Sequence, residues 1–254
     1  MTAGRPFDYD AARISYSRQR REEPAIAARI RDALGAARTV LNVGAGTGSY
    51  EPGDRFVVAV EPSGRMRGQR LELGRTPAVD ARAEALPFDD GSFDAVMALV
   101  TVHHWPDIEQ GLAELSRVAR DRVVVMTFDP DRIGLFWNTE YFPEVAAIER
   151  QRFPAIWTVV AALGGRAEVS RVPIPASCVD GFQEAYFARP EAFLDPEVRA
   201  SQSAWGFVDP AVTEQRLSVL ADELESGRWD EKHGQWRTAD NYDGSLTIVV
   251  AHVV

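Results

Sequence analysis

The sequence has a single cysteine, Cys178. One thiol can form neither an intramolecular disulfide nor a cysteine-cluster metal site, and this suits a reducing interior. No apolar run approaches the roughly 20 residues that span a bilayer. The opening residues Met1 to Asp8 hold no apolar stretch of the signal-peptide kind. A cytoplasmic, membrane-free protein is expected. Positive charge is also short: 28 basic against 38 acidic residues give a net charge of −10. Nucleic-acid affinity draws on neutralised phosphates, so no nucleic-acid partner is expected. The H-E-x-x-H and D-x-D-x-D-G patterns are missing, so no zinc or calcium site is expected. Repeats of 20–50 residues and low-complexity tracts are missing too.

What remains is a chain of 254 residues, 45% hydrophobic and 26% charged, enough for one large α/β domain. Residues 24–34 predict a helix, with Pro24 in its first turn, Ile26, Ile30 and Leu34 spaced by four, and Gly35 as the stop. Short apolar runs follow at 39–43, 56–60, 93–99 and 122–126. Runs of this kind, without clean alternation, suit strands covered on both faces, as in a parallel sheet. Between the last two lies a predicted helix at 108–119, opened by Asp107 and Gln110, with Ile108, Leu112, Leu115 and Val118 on one face. The alternation predicts βαβ units and a doubly wound sheet.

Beyond 131 the pattern changes. Phe136, Trp137, Tyr141, Phe142, Phe153 and Trp157 crowd one segment, with Pro143 and Pro154 as helix starts. Residues 166–174 suggest a strand, and 178–240 mainly helix, with Asp195-Pro196 and Asp209-Pro210 as starts. Leu217, Leu220 and Leu224 share a face ahead of Gly227, and 245–254 is a closing strand. One domain over 1–254 is expected: a helical cap at 1–37, a ligand-binding core at 38–130, helical elaborations at 131–240 and the final strand.

The central feature is Val43-Gly44-Ala45-Gly46-Thr47-Gly48, directly after the first strand. Glycines there let backbone N–H groups approach a ligand closely. In the dinucleotide fingerprint the third glycine comes one position later, where this chain has Ser49. The second strand ends at Glu61-Pro62. An acid at that place lies beside the first loop and can accept both hydroxyls of a ribose. A ribose-containing ligand is expected.

Four stretches together resemble a class I S-adenosylmethionine-dependent methyltransferase of the small-molecule (methyltransferase type 11-like) group. They are Val43 to Gly48; Val60-Glu61-Pro62-Ser63 with Met66; Ala83-Glu84-Ala85-Leu86-Pro87-Phe88; and Phe93-Asp94-Ala95-Val96 followed by His103-His104-Trp105-Pro106-Asp107. They stand in the family's order over about residues 38–128. The resemblance implies a Rossmann-like, doubly wound, mostly parallel seven-stranded sheet with an antiparallel final strand and added helical lid segments. It implies S-adenosyl-L-methionine as cofactor, and methyl transfer to an O, N or C nucleophile of a small organic molecule.

Residue by residue, it implies that Gly44, Ala45, Gly46 and Gly48 pass the methionine part of the cofactor. Glu61, with Pro62 behind it, holds the ribose hydroxyls; Ser63 and Met66 flank the adenine; Ala83 presents backbone to the adenine edge beside Glu84. Leu99 and Val100 lie at the sulfonium end, and Tyr16 folds over the cofactor. One position departs: the residue before Ala83 is often Asp, and Arg82 cannot accept a hydrogen bond. Glu84 or a backbone carbonyl then takes that role. Phe88 reads equally well as loop packing.

Methyl transfer from a sulfonium is an in-line displacement, in which the nucleophile is held about 3 Å from the methyl carbon and water is kept out. A base is needed when the nucleophile arrives protonated, and histidine is the usual choice. His103 and His104 follow the strand at 93–99, at the edge where such sheets bind ligands. One of the pair, His104 ahead of His103, is expected to face the methyl with a near-neutral pKa; the other reading is a turn histidine. His233 reads as a surface histidine, His252 as structural, and Asp129 as either a substrate-orienting acid or a cap before Pro130. Trp137, Tyr141, Phe142 and Trp157 read as the core of an added layer or as the roof of a pocket. The competing readings are a nicotinamide-dependent oxidoreductase and a non-catalytic S-adenosylmethionine-binding module. An RNA methyltransferase is disfavoured by the charge.

Overall fold

In the computed structural model, residues 21–253 are described; Tyr16 lies outside them. The expected apolar runs are strands β1 (Thr39–Val43), β2 (Phe56–Val60) and β4 (Phe93–Leu99), with a two-residue β3 (Ala78–Val79). β5 runs over Ala119–Phe128, longer than its apolar stretch. Its first residues, Arg120, Asp121 and Arg122, sit where the sheet meets solvent, which is why hydropathy hid them. β6 (Ala167–Arg171) and β7 (Leu246–His252) complete a seven-stranded sheet in the order β3-β2-β1-β4-β5-β7-β6. β1 to β5 pair in parallel, and β7 runs antiparallel to both β5 and β6. The predicted strand at 166–174 splits after Arg171. Pro173 has no N–H to give to a ladder, and Ile174-Pro175 instead form a small ribbon with Asn241-Tyr242.

The parallel strands are covered on both faces. Met97, Val124 and Met126 face helix α1 (Pro24–Leu34) and the lid. Val96, Val123 and Val125 face α3 (Ile108–Val118) on the other side. Glu23 caps α1, and Asp107 caps α3 by accepting from Gln110 N at 3.0 Å. Helix α2 (Gly64–Glu72) follows β2 and is capped by Ser63.

The lid carries α4 (Pro143–Arg152) and α6 (Pro210–Glu225), while α5 (Ile156–Ala162) packs beside α3 on the opposite face of the sheet. α5 starts two residues after Pro154, because Ala155 takes the extended capping position. Asp195 and Asp209 cap as expected, but much of 178–240 is short 3₁₀ turn rather than long helix. The segment folds around a buried aromatic cluster. Trp229 sits 5.2 Å from Trp137, centroid to centroid, and Phe142 sits 4.7 Å from Trp205.

Candidate active site

The loop after β1 is anchored before it turns. Ala45 N donates to Val60 O at 2.9 Å, so the loop leans on the end of β2. Gly44 has φ +68, and a Cβ there would lie 2.1 Å from Thr101 Oγ1. No side chain fits between the two turns. Gly46, at φ +52, faces open space, where a side chain would project into the site. Below the loop, the buried Arg70 guanidinium donates to both Glu51 oxygens at 2.8 Å, and Asn42 Nδ2 donates to Glu51 Oε1 at 2.9 Å.

Glu61 is buried at the end of β2. Its Oε2 accepts from Gly46 N at 2.8 Å and its Oε1 from Ser63 N at 2.9 Å. A carboxylate has about four acceptor positions, so a carboxylate fixed by two backbone donors can also receive ribose hydroxyls. Ser63 Oγ accepts from Met66 N, and Met66 is buried; Pro62 is exposed. Across the site Ala83 is buried, while Arg82 is exposed. Glu84 Oε1 accepts from Asp107 N at 3.3 Å, which commits it to the turn before α3. Phe88 packs edge-on against Phe93. Together, the open side of Gly46 and the fixed acid facing it fit S-adenosylmethionine.

After Leu99 the chain turns sharply. Val100 has φ +50, a left-handed conformation that a β-branched residue adopts only when its surroundings impose it. Its N–H donates to Met126 O at 2.7 Å. The turn brings Thr101 against Gly44 and sends His103 into a partly open cavity. Val100, His103, Phe128, Phe136, Phe153 and Phe182 supply much of its wall. His103, Phe153, Phe128 and Phe182 form a continuous chain of ring contacts, with centroids 4.4, 5.1 and 5.5 Å apart.

Several expectations change here. The near-neutral pKa expected at His104 is not what its surroundings produce: burial, and after it the charge of Arg152, push it down to about 3. His103, not His104, lines the cavity. Trp137, Tyr141 and Phe142 are buried in the aromatic cluster and Trp157 is 71% exposed, so none of the four roofs the pocket. Asp129 is a cap, accepting from Asp131 N. His233 is buried, not superficial, with Nε2 3.2 Å from Glu140 Oε2, whereas His252 ends β7 exposed. Burial pushes the Cys178 thiol up to about 12, which removes it as a nucleophile.

Sequence reasoning missed the polar wall of the cavity: Asn138, Glu149, Gln183, Glu184 and Gln202. Glu149 sits in Glu-Arg-Gln-Arg, which reads as a solvated helix face, and the others lie in turns without periodicity. Burial pushes both Glu149 and Glu184 up to about 7. Among the described residues, no group of three or more His, Cys, Asp or Glu could hold a metal ion, and no helix is long and apolar enough to cross a membrane.

Residues 41–126 match the model of the methyltransferase domain family. An uncharacterised methyltransferase of Mycobacterium tuberculosis is 40% identical over 110 residues, 41% of either chain, so this chain spans about two fifths of that relative's length. A phosphatidylethanolamine N-methyltransferase of Cereibacter sphaeroides is 32% identical over 166 residues, 57% of this chain and 78% of the relative. A solved structure from Anabaena variabilis, described as a candidate methyltransferase of an antibiotic biosynthesis pathway, superposes with a TM-score of 0.85 at 28% identity, covering 92% of this chain and 99% of its own. With this sheet order, glycine loop and acid at the end of β2, the chain belongs to the class I S-adenosylmethionine-dependent methyltransferases.

Proposed function

We propose that the protein methylates an O, N or C nucleophile of a small organic molecule held in the cavity beside Val100 and His103. The observation that carries this reading is continuity. Gly44 packs on Thr101, and the same turn presents Val100 and His103 to a partly open aromatic pocket. Pockets of this kind are mostly apolar, with a few placed polar groups. S-adenosylmethionine, when bound, supplies an electrophilic methyl group.

In this reading the chain divides its work. Residues 38–130 bind the cofactor, with Glu61 accepting the ribose hydroxyls, Gly44 to Gly48 along the methionine part, and Ser63, Met66 and Ala83 around the adenine. The segment 131–240 closes over the substrate and excludes water. His103 is the better placed of the two histidines to take a proton from the nucleophile; His104, held neutral, supports the turn. A cytoplasmic setting, and a small-molecule rather than a nucleic-acid partner, go with the single buried cysteine and the net charge of −10.

The test uses S-adenosylmethionine labelled in the transferred methyl. The protein is incubated with it and a small-molecule extract, and the products are separated by mass. Label entering a small molecule supports the proposal. Cofactor binding by calorimetry without label transfer would favour a non-catalytic binding module. Binding of a nicotinamide dinucleotide in its place would favour an oxidoreductase.

A further inference from the structure

The cavity floor holds two carboxyl groups that the proposed methyl transfer does not use. Glu184 is 4% exposed, and both its oxygens lie 3.0 Å from Ser245 N, whose donor they share. Glu149 projects from α4 into the same cavity, close enough for its charge to raise the pKa of Glu184. A pair of buried acids alone would be a structural oddity. Two glutamine amides make it a site. Gln183 and Gln202 are each 6% exposed and line the same cavity. Gln202 Oε1 accepts from Trp205 Nε1 and Gln183 Oε1 from Asn138 Nδ2, and Gln202 Nε2 has no hydrogen-bond partner. The Gln183 side chain hydrogen-bonds Glu149 and favours its charged form. Buried polar groups in folded proteins are generally paired, so the Gln202 amide left open on this cavity points to a polar guest.

We propose that this cavity recognises a substrate carrying a protonated amine, held by the carboxylates of Glu149 and Glu184 with its carbon body against Phe128, Phe153 and Phe182. The proposal rests on the methyltransferase reading above and names the substrate class for that site. Two arguments select a cation. Aromatic faces attract cations, the more so when water is excluded. An opposite charge within a few ångströms is also what makes the ionised form of a buried carboxyl favourable. The groups facing the pair are limited. Arg152, on the same helix as Glu149, favours the charged form of Glu149 through its own charge, donates to Ser203 Oγ at 2.9 Å and lies over Phe207 at 5.3 Å. Tyr242 lies beside Glu184, whose charge raises its pKa further, with Arg132 acting on it in the opposite sense. His103 stands at the rim and Ser245 N–H behind Glu184. Without a guest, burial holds both carboxyls near pH 7, largely protonated below it. Binding of a cation therefore releases protons, and amine affinity rises with pH between 6 and 8.

The test is calorimetric binding to the protein loaded with S-adenosylhomocysteine. The probes are phenethylamine, its neutral isostere 2-phenylethanol, and phenylacetate. Phenethylamine is expected to bind at least tenfold tighter than 2-phenylethanol at pH 8, with phenylacetate weakest. Titration in two buffers of different ionisation enthalpy should show proton release on amine binding at pH 6.5. Glu149→Gln and Glu184→Gln should each lose at least tenfold in amine affinity, while affinities for 2-phenylethanol and S-adenosylhomocysteine stay within twofold. Should Glu184→Gln fail to fold, Glu149→Gln carries the same comparison. Equal binding of amine and alcohol, unchanged amine affinity in the variants, or no probe binding while S-adenosylhomocysteine binds overturns the amine proposal and leaves the methyltransferase reading standing. Failure of S-adenosylhomocysteine itself to bind overturns both.

Discussion

Glu61 reaches from the end of β2 to accept a 2.8 Å hydrogen bond from the backbone of Gly46 in the neighbouring loop. One side chain thus both shapes the loop and offers the charge that a ribose would meet. Glu61→Ala is expected to weaken S-adenosylmethionine binding by more than tenfold, since a hydrogen bond to a charged group is worth about 1.5–3 kcal/mol. Calorimetry reads this directly, and an unchanged dissociation constant would take Glu61 out of the site.

Gly44 and Thr101 leave no room for a side chain between them. Gly44→Ala should destabilise the fold by about 1–3 kcal/mol through overpacking, with the left-handed backbone adding about 1–2 kcal/mol. A drop in melting temperature and a loss of cofactor affinity should appear together. The double variant Gly44→Ala with Thr101→Gly should recover part of both. No recovery would mean that backbone strain, and not the contact with Thr101, dominates.

His103 and His104 should separate in kinetics. His103→Ala is expected to lower turnover by roughly 10²-fold or more, the usual worth of a positioned base, with cofactor affinity nearly intact. His104, held down to about 3, stays neutral across pH 5–9, so His104→Gln should leave the shape of the pH–rate profile unchanged. A limb that disappears in His104→Gln would reverse this assignment.

The buried carboxyls set a pH dependence of stability. Glu149 and Glu184 are raised from 4.5 to about 7 in the folded chain, so between those values the native state holds protons that the unfolded state has lost. Their contribution is fully present below about pH 4.5 and is lost as pH rises through about 7. Glu149→Gln should therefore gain in melting temperature over the parent from pH 5 to pH 8, with the difference levelling off above. A difference that stays flat over this range would count against burial as the cause.

Arg70 and Glu51 form an ion pair with side chains 0% and 7% exposed. Removing one partner of a buried pair leaves a charge uncompensated, typically at 3–5 kcal/mol. Glu51→Gln should lower stability on that scale in denaturant titration, and more than Glu144→Gln, whose partner Arg216 is 38% exposed. Equal losses would show that burial of the pair does not matter.

The cofactor half of this molecule was legible because its signals are local. A five-residue apolar run must be a covered strand, glycines that follow it must be a close-approach loop, and an acid that ends the next strand must reach that loop. The substrate half was not. Trp137 and Phe136 are adjacent, equally aromatic and both buried in the core, yet only Phe136 also lines the cavity. Which way each points is set by the packing of turns at 183–186 and 203–207, which carry no periodicity. Glu149 looked solvated because its neighbours Arg150 and Gln151 are exposed. His104 looked titratable because the sequence does not say how deep a turn sits.

Tyr50 ends the glycine-loop segment, and its hydroxyl donates to Asp180 at 2.8 Å while accepting from Glu23 N at 3.1 Å. Asp180 stands three residues ahead of Gln183, in the cavity wall. The Tyr50 hydroxyl thus ties the glycine-loop segment to the segment that carries Gln183, and binding in the two halves of the site is expected to be coupled through it. Reciprocity follows: the factor by which one ligand tightens or loosens the second must equal the factor by which the second acts on the first. Tyr50→Phe keeps the ring and removes this link, and that factor, read by calorimetry with one half filled and empty, should move toward one.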